Sequence, residues 1–168
     1  MKSGSFILTT LCYIRRQGKV LLLYRNKKEN DLNHGKWIGV GGKFEEGETP
    51  DECLLREVKE ETGLTLTRYR LHGVVTFVSD TWDNEYMFLY SGLDFTGELR
   101  TEDSGGWDCR EGRLAWIPEE EVLSLPAWEG DKYFLAPLLA GEEHIDLRLE
   151  YQGDTLVRVN HSAAAGPG

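Results

Sequence analysis

The chain predicts an α+β fold, and three observations carry that expectation. Short runs rich in Val, Leu, Ile, Thr and Tyr recur along the whole length of the 168 residues. Helical segments are few and fall irregularly among them, without the βαβ alternation of a doubly wound parallel sheet. Forty per cent apolar residues, five tryptophans among them, are enough for one packed core in a chain of this size.

Phe6 to Ile14, rich in Thr, Leu, Ile and Tyr, reads as the first strand. Gln17-Gly18-Lys19 turns the chain into Val20 to Tyr24, an apolar run suited to a buried strand. A polar loop from Asn26 to Gly35 leads to a short strand-like piece, Trp37 to Val40. A helix follows, with Thr49 as N-cap and Pro50 in its first turn, and Gly63 stops it. Leu54 and Val58 are placed to pin that helix to the sheet. Leu71 to Val78 and Glu85 to Leu93 form an expected antiparallel pair, joined by Ser79 to Asn84. Polar, glycine-containing residues 97–112 read as a long loop, and Arg113 to Ile117 as a returning strand. Pro118 opens a short acidic helix through Leu125, and a second helix runs from Asp131 to Ala140. Ile145 to Tyr151 and Leu156 to Val159 make a terminal hairpin, turned at Gln152-Gly153-Asp154. No repeat is visible; residues 1–160 are expected to form a single domain and 161–168 a disordered tail.

The net charge of −10 excludes nucleic-acid polymers as natural ligands, which call for a basic patch. No apolar run approaches the roughly 20 residues of a membrane span, and the first residues lack a signal peptide's long apolar region. Cys12, Cys53 and Cys109 are odd in number and scattered, which suits a reducing, cytoplasmic setting without disulfides or zinc. The four histidines have no metal-ligand spacing, and Glu119 to Glu121 follow Pro118 at a helix start, where negative charge favours the dipole.

One stretch carries chemistry. Gly42 to Leu64 combines a glycine turn, Glu48, and a helix bearing Arg56, Glu57, Glu60 and Glu61. Residues three and four apart share a helical face, so the last three carboxylates crowd together and repel. Oxygen-rich clusters of this kind suit hard cations, Mg²⁺ above all and Mn²⁺ as a substitute. A divalent ion also removes the conflict between an acidic protein and an anionic phosphate ligand.

The same stretch resembles the Nudix hydrolase signature at every defining position: Gly42, Glu48, Arg56-Glu57-Val58, Glu60-Glu61 and Gly63-Leu64. Gly35-Lys36-Trp37, Trp116-Ile117 and the Trp128 to Asp131 segment extend the resemblance to the MutT-type branch, which includes 8-oxo-dGTP diphosphatases. It implies an α/β/α sandwich with a mixed sheet and a loop-helix-loop catalytic motif. By resemblance, Glu57, Glu60 and Glu61 hold metal with the Gly41 carbonyl, and Glu57 or Glu60 doubles as the base. Arg56 orients a glutamate, and Glu48 braces the arrangement. Glu111 matches the carboxylate that a long loop adds in this branch, with Glu102 and Asp103 as rivals. Trp128 and Asp131 resemble the tryptophan and acid that stack on and read a purine. The chain departs from the vertebrate-type pattern at Gly130, where those enzymes carry a second aspartate, and at Ile38, where they carry a base-contacting asparagine. Arg25, ending the second strand, is a candidate for phosphate contact.

The expected function is therefore Mg²⁺-dependent hydrolysis of nucleoside triphosphates to monophosphate and pyrophosphate, sanitising oxidised purine nucleotides such as 8-oxo-dGTP. The expected partner is a small nucleotide, with the protein a monomer or homodimer. A related chemistry on ADP-ribose or another nucleoside diphosphate derivative is the alternative; the absence of proline between Pro50 and Pro118 counts against ADP-ribose. A Nudix-fold binding module without catalysis is a third reading, opposed by the intact acid cluster.

Overall fold

A computed structural model describes residues 4–26, 31–100 and 112–161. The elements are β1 (Phe6–Arg16), β2 (Lys19–Arg25), β3 (Trp37–Ile38), α1 (Pro50–Thr62), β4 (Thr65–Ser79), β5 (Asn84–Thr96), β6 (Gly112–Pro118), α2 (Glu119–Val122), α3 (Lys132–Leu139), β7 (Leu147–Gln152) and β8 (Thr155–His161). The strands make one mixed sheet in the order β3-β2-β1-β5-β4-β7-β8, with β6 also paired to β2. The β1–β5 and β4–β7 pairings are parallel and the rest antiparallel. An α+β sandwich results.

The two faces of the sheet are covered by different helices. On one, α1 buries Leu54 and Val58 against Cys12, Ile14, Leu21, Val40 and Tyr90. On the other, α3 buries Phe134, Leu135 and Leu138 against Tyr13, Val20, Leu22, Val75 and Leu89. Residues on a strand alternate between faces, so neighbours such as Cys12 and Tyr13 belong to opposite cores. Each fully buried Leu or Val contributes on the order of 1.5–3 kcal/mol.

The site depends on where β1 and β2 part. They pair only over Ile14–Arg16 and Lys19–Leu21. Beyond that point β3 joins β2, while Val40 and Lys43 bridge to Cys12 and Thr9 of β1. Glycines 41 and 42 are thereby wedged against the sheet at the foot of α1. Gly41 has φ +151°, and a Cβ there would lie 2.0 Å from the Thr10 carbonyl oxygen, so only glycine fits.

Several elements differ in length from the sequence expectation, β4, α2 and β8 among them. β4 begins at Thr65, because Leu66 is buried and paired to Phe95 of β5 well before Leu71 is reached. α2 stops at Val122, after which Ser124 and Leu125 close tighter three-residue turns. β8 extends through His161, paired with Leu147; residues 162–168 lie outside the described residues. Among the described residues, no helix is long and apolar enough to cross a membrane.

Candidate active site

α1 starts on a complete capping box: Thr49 Oγ1 accepts from the Glu52 amide at 3.1 Å, and Glu52 accepts from the Thr49 amide at 3.0 Å. Pro50 occupies the first turn, and Gly63 ends the helix in the left-handed region at φ 82°. The helix is thus fixed at both ends, and its acidic face is aimed at Gly41 and Gly42.

Arg56 organises that face. Its Nε and Nη2 donate to the two Glu48 oxygens at 2.7 and 2.8 Å, a two-pronged pair across the turn. Nη1 donates to Glu57 Oε1 at 2.8 Å and to Glu60 Oε2 at 3.3 Å, while Nη2 also reaches the Lys43 carbonyl at 3.0 Å. Hydrogen bonds from Arg56, then the Glu45 amide, pull the Glu48 carboxyl down to about 2. The same pairing pushes Arg56 further up, so it stays charged. Glu61 is buried and accepts from the Gly41 amide at 2.9 Å, whereas the Glu60 side chain is 58% exposed.

The donor set suits a hard divalent cation. Glu57, Glu60 and Glu61 supply only oxygen, and the absent side chain of Gly42 makes room: a Cβ there would lie 2.6 Å from Glu57 Oε2. As the side chains stand, no group of three His, Cys, Asp or Glu residues among the described ones surrounds a point. Arg56 and the Gly41 amide instead satisfy the carboxylates that an ion would engage.

A cavity of about 410 Å³ runs from Gly41, Gly42 and Glu57 to Trp128 and Asp131. At its far end, Trp128 is buried, and its indole Nε1 donates to Asn33 Oδ1 at 2.8 Å. Phe77 and Tyr151 meet the indole edge-on at 5.9 and 5.0 Å, and Lys36 Nζ lies 4.5 Å from the ring centroid. Asp131, at the start of α3, lines the same end; burial pushes its carboxyl up to about 7, against the opposing pull of Lys36 and the Trp128 amide. Ile38 also lines the cavity.

Gly130 explains its own departure from the vertebrate-type pattern. Its amide donates to Tyr151 Oη at 2.7 Å, and a Cβ would lie 2.7 Å from that oxygen and 2.8 Å from Leu149. Tyr151 takes the space that a side chain at 130 would need. Arg25 lines the cavity too, but its Nε donates to Asp31 at 2.6 Å, and Asp31 in turn caps the Asn33 amide. It is therefore engaged in building the 31–36 turn. Glu111, with Glu102 and Asp103, lies outside the described residues.

Asn33, Lys36, Phe77, Glu85 and Tyr151 went unremarked in the sequence as members of one site. The Asp31-x-Asn33 spacing signals a side-chain-capped turn, and a charged Glu85 in step with apolar Met87 and Leu89 signals an inward-facing carboxylate. Neither signal says what the residue faces.

The Nudix-domain family profile matches residues 6–138. The uncharacterized Nudix hydrolase YvcI of Bacillus subtilis is 31% identical over 137 residues, 79% of each chain. An oxidized purine nucleoside triphosphate hydrolase of Danio rerio is 27% identical over 152 residues, 89% of this chain and 90% of that one. Among solved structures, a mutator MutT protein from Bacillus halodurans superposes with a TM-score of 0.81 at 27% identity, covering 93% of this chain and 97% of its own. With the acid-bearing helix, the glycine wedge and the mixed sheet in place, the chain belongs to the Nudix family: it is a MutT-like hydrolase acting on phosphoanhydride bonds.

Proposed function

We propose that this chain hydrolyses nucleoside triphosphates to monophosphate and pyrophosphate with Mg²⁺, and that oxidised purine nucleotides such as 8-oxo-dGTP are its substrate class. The single observation behind the reading is the continuity of the cavity from the Glu57 face to Trp128 and Asp131. A ligand with phosphates at one end and a flat base at the other matches that succession. The similarity to an oxidized purine nucleoside triphosphate hydrolase over nine-tenths of the chain supports the same choice.

Glu57, Glu60 and Glu61 would hold the cation. Mg²⁺, when bound, neutralises phosphate oxygens and lowers the pKa of a coordinated water. The remaining work belongs to the chain. Arg56 keeps Glu57 and Glu48 in register, so the acidic face arrives oriented. Glu57 lines the cavity while Glu60 faces solvent, which favours Glu57 over Glu60 as the group that takes the proton from attacking water. Trp128 offers its indole surface to the base, and Asp131 offers a carboxyl to the base edge. Burial of the aromatic end keeps water off that contact.

The deciding experiment incubates the protein and Mg²⁺ with 8-oxo-dGTP, dGTP, ADP-ribose and dinucleoside polyphosphates, followed by product analysis. Pyrophosphate and 8-oxo-dGMP, formed faster than dGMP from dGTP, are the expected outcome. AMP and ribose phosphate as the dominant products would replace this reading with the ADP-ribose one, and no turnover of any compound would point to a binding module.

A further inference from the structure

One carboxylate of the cavity belongs neither to the acidic cluster nor to the Arg25–Asp31 and Trp128–Asp131 contacts described above. Glu85 lies near the start of β5 and lines the cavity together with Met87. Its ladder partner in β4 is Phe77, whose ring meets Trp128 at the aromatic end. On the β1 side, Thr9 Oγ1 donates to Glu85 Oε2 at 3.2 Å, and Thr9 is bridged to Lys43, the residue after Gly42. Glu85 thus stands between the half of the cavity that suits a base and the half that suits phosphates.

Among the described residues Glu85 has one side-chain donor and is only partly buried. A carboxylate accepts about four hydrogen bonds, and Thr9 is the side-chain donor the structure gives it. Burial raises its proton affinity, Thr9 and Lys43 oppose that rise, and Asp83 adds to it. A hydrophobic side chain would pack with Met87 at lower cost. A negative wall also repels phosphate, so the part of a ligand beside it should be a neutral hydrogen-bond donor. In a nucleotide, the unit between base and phosphates is a pentose, and its free donors are hydroxyls.

We propose that Glu85, steadied by Thr9, accepts a hydrogen bond from a pentose hydroxyl of the bound nucleotide and selects for nucleotides that carry one. The inference rests on the nucleotide reading above, yet it can fail separately. Calorimetry on the metal-free protein in EDTA, with guanosine, 2′-deoxyguanosine and 2′,3′-dideoxyguanosine 5′-monophosphates, needs no turnover. The wild-type protein should bind at least one hydroxyl-bearing nucleotide roughly 10-fold more tightly than the dideoxy compound. Glu85→Met should bring all three within about twofold, and Glu85→Gln, which keeps one acceptor oxygen, should fall between. Thermal melting establishes that both variants are folded.

Glu85→Met retaining the wild-type preference would overturn the proposal, as would binding of none of the three nucleotides. Inosine 5′-monophosphate, which lacks the 2-amino group, provides the remaining arm: a Glu85-dependent preference for guanosine over inosine, with none for the hydroxyls, would assign the carboxylate to the base and likewise overturn it. Hydroxyl selection without triphosphate hydrolysis would sink the hydrolytic reading alone.

Discussion

The two ends of the cavity are built in opposite ways. The acidic end comes from one continuous stretch, residues 42–64, in which helix periodicity and a glycine turn bring Glu48, Arg56, Glu57, Glu60 and Glu61 together. The aromatic end is assembled from Asn33, Phe77, the Trp128–Asp131 turn and Tyr151, which are far apart in the chain and meet only when the sheet forms. On the proposed function, local geometry fixes the chemistry that all phosphoanhydrides share, and long-range packing fixes which nucleotide fits. The first should resist changes elsewhere in the fold, and the second should not.

The sharpest way to break that contrast is at Glu57. Replacing it by glutamine keeps its size and leaves an acceptor for Arg56, but removes the charge. We expect kcat to fall by at least ~10²-fold, with the fold intact by circular dichroism. Near-normal turnover would remove Glu57 from the centre of the acidic end. Affinity for a nucleoside monophosphate, which reports the other end, should change by less than about twofold.

The next effect belongs to the aromatic end. Trp128→Ala removes the indole surface and leaves the Asn33 amide without its indole partner. KM for purine triphosphates should rise by roughly 10-fold, in line with a base-stacking contribution of about 1–3 kcal/mol, while kcat falls less. An unchanged KM would exclude Trp128 from base contact. Trp128→Phe keeps a ring and loses only the bond to Asn33, so its KM should lie between the two.

This contrast also explains what could be read beforehand. α1, its cap at Thr49, its stop at Gly63 and its acidic face were legible because all depend on residues within one or two helical turns. Strand positions were legible from alternation, although the edges moved where cross-strand partners decided them, as at Thr65. The salt bridge of Arg25 with Asp31 and the exclusion of a side chain at Gly130 by Tyr151 were not legible. Gly130 and Tyr151 are 21 residues apart, and only the placement of β7 beside β4 brings them into contact.

A smaller, pH-dependent effect separates the ends further. The folded state raises Asp131 from 3.8 to about 7, so it favours the protonated carboxyl. That contribution to stability is fully present below the ordinary aspartate range and is lost as pH rises toward and through about 7. Asp131→Asn mimics the neutral form. In urea titrations, its stability relative to wild type should therefore improve between pH 5 and pH 8, and a difference that is flat across that window would show that Asp131 is not held protonated. KM of the wild-type protein for purine nucleotides should change over the same interval, while that of the variant stays level.

The smallest expected effect probes whether the acidic end depends on its helix being capped. Thr49→Ala removes the oxygen that accepts from the Glu52 amide and leaves half of the capping box. A loss of about 1 kcal/mol in urea unfolding is expected. The cap lies at the end of α1 nearest Glu48, two residues before Asp51 and well before Glu57. Fraying of that first turn would loosen the two-pronged pairing of Glu48 with Arg56 before it disturbed Glu61. The concentration of Mg²⁺ giving half-maximal activity should thus rise modestly, by about two- to threefold, if roughly half of that loss reaches the acidic face. Monophosphate affinity, set by residues remote from Thr49, should stay constant. Equal losses at both ends would mean that α1 and the aromatic wall form one cooperative unit, and the division between local and long-range construction would not hold.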